Sequence, residues 1–527
     1  MAQASRLHIS LLLILGLLSF IPVTGQPVQK ASYDMIIENG KIIDGTGNPW
    51  YSGDIGISGG RIAAVGALNM SEAKHRIDAT GMFVTPGFID IHTHSDGTIL
   101  KIPTADNSVR QGLTTIVGGN CGGAPLPVAD HLSQVRKTAI SINYITLAGH
   151  NTIRNKAMGG VNRAPTEQEM AVMKQLLEQS LREGAFGLST GLYYTPGNYA
   201  ETEEIVELVK VVKQHGGIYV SHIRDESDYN IGLIAAVEEA IAIGEQAGVP
   251  VQISHLKCLG KPVWHQSGEV LKRIGAARSR GVDVRFDQYP YTASSTSLWG
   301  AVFPAWAQEG GTKAFLKRME DNTTAARIRE EISGNIERRG GASSLYIVRE
   351  KARLSELAAK WNIEPADAAI RIQSNGGSAV ISFNMTDEDV ETIMKSPYGM
   401  IGSDGNITQP DNTGHPRSFG TFPRVLGIYV REKQILGWEE AVRKMTSAPA
   451  AQLGLHDRGL ILQGMAADIV VFNPATVADL ATYENPSLPP AGIHYVLVNG
   501  TLVIDRENHT GARPGKVLTP ARLASNP

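Results

Sequence analysis

The chain has 527 residues, too many for one ordinary domain and enough for a large barrel with a satellite. Hydrophobic residues make up 42% and charged residues 19%, which excludes a disordered or fibrous chain. With 49 basic against 52 acidic residues the formal charge is −3, leaving no electrostatic footprint for a nucleic-acid partner. Two cysteines, Cys121 and Cys258, are too few for a disulfide framework.

In chain order, the first element is a leader. Arg6 and His8 precede an apolar run from Ile9 to Ile21, and Val23-Thr24-Gly25 supplies small residues before Gln26. This is the pattern of a secretory signal peptide over residues 1–25, so an exported, periplasmic or secreted protein is expected. The run is about 13 residues, short of the roughly 20 needed to span a bilayer. No later segment of about 18 apolar residues follows, so no membrane partner is expected after cleavage.

Residues 26–85 read as short strands. Segments 35–38 and 41–44 flank Asn39-Gly40, a strong two-residue hairpin signal, and a second hairpin is predicted at Gly59-Gly60 between 54–57 and 61–65. Residues 86–455 then alternate apolar strands with amphipathic helices. Thr166 and Glu169 fit a capping box, Met170, Met173, Leu177 and Leu181 line one face, and Gly184 stops that helix. A second helix carries Ile205, Leu208, Val209 and Val212 and stops at Gly216-Gly217. Buried strands are predicted at 88–94, 114–121, 143–150, 186–192, 218–222, 249–255, 282–287 and 399–404. The alternation predicts an α/β fold, a (β/α)8 TIM-like barrel. Residues of about 303–378 exceed one connecting helix and are expected to form a mainly helical insert between strands 7 and 8, a lid candidate. In residues 456–527 strands return at 468–472 and on either side of Asn499-Gly500. Both chain ends are therefore expected to build one small β-sandwich domain that clasps the barrel.

The residues that terminate the strands carry the chemistry. The first ends in His92-Thr93-His94, the second in Asn120-Cys121-Gly122, the fifth in His222, the sixth in His255 and the eighth in Asp404. C-terminal strand ends converge on the active-site face of such a barrel. Four imidazoles, a thiol and a carboxylate suit zinc. They exceed the needs of one tetrahedral ion, which leaves room for a second metal. Singly, each has a plain reading: a turn histidine, a small buried cysteine, a hydrogen-bonded core histidine, a helix-capping aspartate. All six at the ends of strands assigned on other grounds argue for a metal site. Of the other histidines, His8, His75, His131, His215 and His456 read as exposed.

Val84-Thr85-Pro86-Gly87-Phe88-Ile89-Asp90-Ile91-His92-Thr93-His94 resembles the opening of the amidohydrolase superfamily barrel. Gly119-Asn120-Cys121-Gly122, Ser221-His222-Ile223-Arg224-Asp225-Glu226, Tyr289-Pro290-Tyr291, Gly402-Ser403-Asp404-Gly405 and His415-Pro416-Arg417 narrow the resemblance. From about residue 34 to 510 the chain resembles the D-aminoacylase (N-acyl-D-amino-acid deacylase) family. That resemblance implies zinc-dependent cleavage of a small-molecule N-acyl-D-amino acid to a carboxylate and a free D-amino acid. It implies a tightly held zinc on Cys121, His222 and His255, with Cys121 where many relatives use a carboxylated lysine. His92, His94, Cys121 and Asp404 would frame a second, weaker site.

Zinc polarises an amide carbonyl and acidifies water. Asp404, the only carboxylate in the set, is then the natural general base and later the acid that protonates the leaving amine. A substrate carboxylate needs a cationic clamp, expected from Lys257, two residues beyond His255, and from Arg417 in the last barrel loop. The resemblance adds Tyr194, Tyr289 and Ser295 as substrate contacts. Cyclic-amide opening or dipeptide cleavage would share the same metal chemistry. A non-catalytic binding barrel would have lost ligands, and none of the six is missing. Because Cys258 lies three residues from His255, a Cys121–Cys258 bridge is sterically conceivable, against which the need for a soft donor at Cys121 argues.

Overall fold

The computed structural model describes residues 32–410 and 414–524, so the leader at 1–25 lies outside the described residues. Among the described residues, no helix is long and apolar enough to cross a membrane.

Eight short strands, almost every residue of them buried, form the barrel, as parallel strands covered by helices must. They are Phe88–Asp90, Leu113–Gly118, Asn143–Thr146 (continued by Ala148–Gly149), Gly187–Gly191, Ile218–His222, Val251–Ile253, Val284–Gln288 and Gly399–Ile401. Neighbours pair in parallel in chain order. The ring closes through a bridge between Thr93 and Gly405, with Asp404 N donating to His92 O and His94 N to Gly405 O, both at 2.9 Å. Asp90 fastens the same seam, its Oδ1 accepting from Ser403 N and His92 N. Closure therefore draws the first and eighth strand ends together.

The helix Glu167–Glu183 starts at the Thr166 capping box and ends at Gly184. Its Met173, Leu177 and Leu181 join Ile205, Leu208, Val209 and Val212 of the helix Thr202–Gln214 in the core around the fourth to sixth strands. Two histidines depart from expectation. His131 is buried, because it shares the inward stripe of the helix Val128–Thr138 with Val128, Leu132 and Val135, and its Nε2 lies 3.1 Å from the Tyr144 hydroxyl. His215 is half-buried beside Glu178.

Both chain ends build one nine-stranded sheet, joined where Phe83–Pro86 pairs antiparallel with Ile469–Phe472. Along that central strand the side chains alternate: Ile469 and Val471 enter the domain's own core, Val470 and Phe472 pack on the barrel. The sheet curls until Arg61 bridges to Ala466, so the two halves enclose a single interior. The hairpins at Gly59-Gly60 and Asn499-Gly500 form as expected, all four residues left-handed. Asn39-Gly40 does not turn. Ser32–Ile42 is one continuous strand, and Asn39, at φ +62°, makes a bulge in its pairing with Tyr51–Ser58. Its backbone N donates to Asp54 Oδ1, so the left-handed preference serves a bulge where a partner strand arrives from further along the chain.

The insert between strands 7 and 8 is mainly helical, as expected, but wider than 303–378. A four-stranded sheet frames it, in the order Ala293–Ser297, Ala379–Phe383, Leu345–Ile347, Ala352–Arg353. Its helices, Asn322–Arg338 the longest, pack a separate core around Phe315, Ile328, Ile332 and Leu357. The edge strand reads Ala-Ser-Ser-Thr-Ser, without an apolar alternation, and becomes a strand only by pairing with Ala379–Phe383.

Candidate metal centre

The predicted ligands meet at the C-terminal mouth of the barrel. Of the six, only His222 lies within a ladder; the others sit on the first residues of the loops beyond. Cys121, His255 and Asp404 have φ of +52°, +35° and +51°. Non-glycine residues in that region are uncommon and cluster at functional sites, where the surrounding fold over-determines them. The turn at Cys121 is set by close packing. A Cβ on Gly122 would come 2.1 Å from Asn151 Oδ1, and one on Gly191 would come 2.2 Å from Cys121 O.

Cys121 Sγ lies 3.4 Å from His92 Nε2, 3.4 Å from His222 Nδ1 and 3.5 Å from His255 Nε2. Tetrahedral zinc, with Zn–S of about 2.3 Å and Zn–N of about 2.0–2.1 Å, would set sulfur and nitrogen about 3.6 Å apart. The residues present therefore fit the ion. Three overlapping ligand groups form: Cys121, His222 and His255; His92, His94 and Cys121; and His92, His255 and Asp404. Burial opposes ionisation of Cys121, but the His92 and His222 imidazoles outweigh it and hold the thiol well below its usual value. Burial likewise disfavours charge on His94, yet Asp404 and Cys121 push it up to about 9. A thiolate and a carboxylate thus make a pocket for positive charge. Neither cysteine is bridged, and burial, with Asp389 nearby, keeps the Cys258 thiol protonated.

Asp404 Oδ1 is 3.0 Å from His94 Nε2 and 3.7 Å from His92 Nε2, while Oδ2 is 2.7 Å from an Arg417 terminal nitrogen. Burial would raise the carboxyl, but the Arg417 charge prevails and holds it well below the carboxylate range. Arg417 also donates to Ser295 O at 3.3 Å and lies over the Tyr289 ring. The Tyr289 hydroxyl is buried without a hydrogen-bond partner. Tyr194 packs its ring 4.7 Å from that of His222, and its hydroxyl is 2.9 Å from Thr296 Oγ1. His94, Asp404, Arg417, Ser295, Tyr289, Tyr194 and His222 border one cavity of about 480 Å³, with His92 buried behind it.

Lys257 borders the cavity too, but its charge is not free. Its ammonium pairs with Glu226 and lies 2.7 Å from His255 Nδ1. Beyond Ile253 the strand alternation gives way to the left-handed turn at His255, which places Lys257 behind the ligand.

Two carboxylates that sequence reasoning passed over support the cluster. Glu226 Oε1 lies 3.0 Å from His255 Nδ1 and 4.0 Å from His222 Nε2. Asp287 accepts from His255 N at 2.9 Å and lies 3.4 Å from His92 Nδ1. A carboxylate behind a ligating imidazole fixes its tautomer and orientation. Glu226 stands four residues after His222, and Asp287 near the end of the seventh strand, which were the available signals.

The amidohydrolase family's sequence profile matches residues 76–504. The chain is 38% identical to a D-aminoacylase of Alcaligenes xylosoxydans xylosoxydans, over 94% of this chain and 98% of that protein. It is also 38% identical to the same organism's N-acyl-D-glutamate deacylase, over 92% and 96%. The N-acyl-D-glutamate deacylase of Bordetella bronchiseptica, crystallised with zinc and a phosphonate mimic of the reaction's tetrahedral intermediate, superposes with a TM-score of 0.81. That structure is 36% identical and covers 93% of this chain and 100% of its own. Likeness over so nearly the whole of each chain means that this chain belongs to the amidohydrolase family, among its D-aminoacylases.

Proposed function

We propose that the protein is a zinc-dependent hydrolase that cleaves the amide bond of N-acyl-D-amino acids, releasing a carboxylate and a free D-amino acid. The observation that carries this reading is one cavity in which the Cys121–histidine cluster, ionised Asp404 and Arg417 converge. Relatives of this extent and identity bear that activity in their names.

Cys121, His222 and His255 are the residues that would hold the tight zinc, and His92, His94 and Asp404, sharing Cys121, a second ion. When bound, zinc supplies Lewis acidity at the scissile carbonyl and acidifies water. Asp404, kept ionised by Arg417, takes a proton from the attacking water and later delivers it to the leaving nitrogen. Glu226 holds His255 with Nδ1 towards itself and Nε2 towards Cys121. Arg417 retains N–H groups for the substrate's α-carboxylate beside the unpartnered Tyr289 hydroxyl, with Tyr194 and Ser295 on the facing walls. Lys257 acts by anchoring Glu226, the carboxylate that faces His255 Nδ1. Export through cleavage after Gly25 belongs to the same proposal, supported by the composition of residues 1–25.

Handedness follows from three anchors: carbonyl, α-carboxylate and side chain. The wrong enantiomer must surrender one of them, and losing a charge-assisted hydrogen bond costs about 1.5–3 kcal/mol, or roughly ten- to a hundredfold in rate. The test is kcat/KM for N-acetyl-D-methionine, N-acetyl-D-glutamate and their L-forms, with zinc content measured on the same preparation. Equal or faster hydrolysis of the L-forms overturns the reading.

A further inference from the structure

Arg339 follows the insert's helix Asn322–Arg338 and borders the cavity at the barrel mouth. It is 2% exposed. Its Nε donates to Ala301 O at 3.0 Å, one terminal nitrogen to Ser382 Oγ at 3.1 Å and the other to the Tyr193 hydroxyl at 3.1 Å. All these acceptors are neutral, and a guanidinium has five N–H groups, so donors remain. The other buried cations among the described residues each have a carboxylate: Arg154 has Glu204, Arg417 has Asp404, Arg458 has Asp468, Lys257 has Glu226 and Lys444 has Glu440. Arg339 has no ion-pair partner among the described residues.

A buried cation is unfavourable unless a counter-ion reaches it. The described residues supply none here, so the counter-ion is sought in what enters the cavity. Tyr193 sets the distance: its hydroxyl takes the Arg339 bond, while its ring lies 5.8 Å from the His222 ring. One tyrosine thus separates the guanidinium from the metal centre. Beside it Ser382 and Tyr193 present hydroxyls, and the same cavity is lined further by Ser294, Ser295 and Ser297. An apolar side chain seated there would desolvate the charge further. A carboxylate would neutralise it.

Resting on the reading of the protein as an N-acyl-D-amino-acid hydrolase, we propose that Arg339 receives a second carboxylate of the substrate, remote from the scissile amide. That carboxylate sits on the D-amino-acid side chain or on the acyl group, and Arg339 selects acidic over apolar substrates. The same enzyme then consumes products of N-acylation of acidic D-amino acids, or of N-acylation by a dicarboxylic acid.

The test compares kcat/KM of the zinc-loaded full chain on N-acetyl-D-glutamate, N-acetyl-D-aspartate, N-succinyl-D-leucine and N-acetyl-D-leucine. At least one acidic substrate is expected to exceed N-acetyl-D-leucine by about tenfold or more, and Arg339→Gln to cut its kcat/KM by about ten- to a hundredfold. N-acetyl-D-leucine should change by less than about threefold, and Arg339→Lys, which keeps the charge but not the planar fork, should retain only part of the preference. The acidic substrate that loses its advantage shows which end of the molecule carries the second carboxylate. If Arg339→Gln does not fold, the unmodified enzyme decides, since glutarate should inhibit about tenfold more tightly than butyrate. Equal loss on all four substrates, a parent preference for N-acetyl-D-leucine, or equal inhibition by the two acids overturns the assignment. A zinc-loaded parent that hydrolyses none of the four overturns the proposed function as well.

Discussion

Cys121, His255 and Asp404 hold left-handed backbone conformations that cost on the order of 1–3 kcal/mol each in a non-glycine residue. The surrounding packing sustains them because each turns its side chain into the mouth of the barrel. Asp404→Asn keeps that geometry but cannot carry a proton, so turnover should fall about 10²–10⁴-fold while tight zinc remains; kinetics with metal analysis checks both. Arg417 holds Asp404 ionised against burial, well below the ordinary carboxylate range. In Arg417→Met the largest opponent of burial is gone, His255, His94 and His92 remain, and the carboxyl rises, so the acid limb of kcat at saturating substrate should move to higher pH. An unmoved limb would separate Asp404 from the base. Glu226 stands behind His255, and Glu226→Gln should weaken zinc binding about 10–100-fold, measured by competition with a chelator.

Among the elements, the helix Glu167–Glu183 shows how much of its boundary is local. Thr166 Oγ1 accepts from Glu169 N, Glu169 reaches back to Thr166 N, and Arg163 pairs with Glu169 from outside. Thr166→Ala should cost about 1 kcal/mol in denaturant unfolding and leave kcat/KM unchanged. The Arg163 hydrogen bond, then the Thr166 backbone, lowers the Glu169 carboxyl from 4.5 to about 2. A depressed carboxyl stabilises the fold above its unfolded value, so this contribution should fade as pH falls from about 4.5 to 2. The Arg163→Ala variant should lose less stability than the parent over that window. The insert shows the opposite dependence, for Ala293–Ser297 has no strand pattern of its own and is ordered by its partner Ala379–Phe383.

At the scale of the whole molecule, one buried carboxylate helps to fasten the C-terminal part to the barrel. Asp468 pairs with Arg458 and accepts from Asn143 Nδ2 at 3.1 Å and from Asn499 N at 2.6 Å. Asn143 opens the third barrel strand, and Asn499 turns the hairpin of the β-domain. Arg458→Met removes the only cation in this knot among the described residues and leaves Asp468 buried and unpaired. A loss of about 3–5 kcal/mol is expected from denaturant unfolding, with kcat/KM at low temperature unchanged, since the knot lies outside the cavity. A loss below about 1 kcal/mol would mean that water relieves the carboxylate.

The sequence by itself determined what depends on neighbours a few residues apart. Strand periodicity, capping boxes and glycine turns are short-range, and they suffice to mark eight strands and the ligand types just past their ends. A barrel then brings such ends together whatever the loops do, which is why six residues spread from 92 to 404 could be read as one site. Only the tertiary structure decided the use made of Asn39-Gly40, the width of the insert, the neutralisation of Lys257 and the isolation of Arg339. Each depends on a partner supplied from elsewhere in the chain: Asp54 for Asn39, Glu226 for Lys257, and for Arg339 the Tyr193 hydroxyl 146 residues away. In sequence Arg339 is one of two arginines at the end of a helix, where a solvated cation is ordinary. Its burial without a counter-ion among the described residues exists only once the insert has folded onto the barrel, because charge compensation is a property of the space around a group and not of the residues beside it.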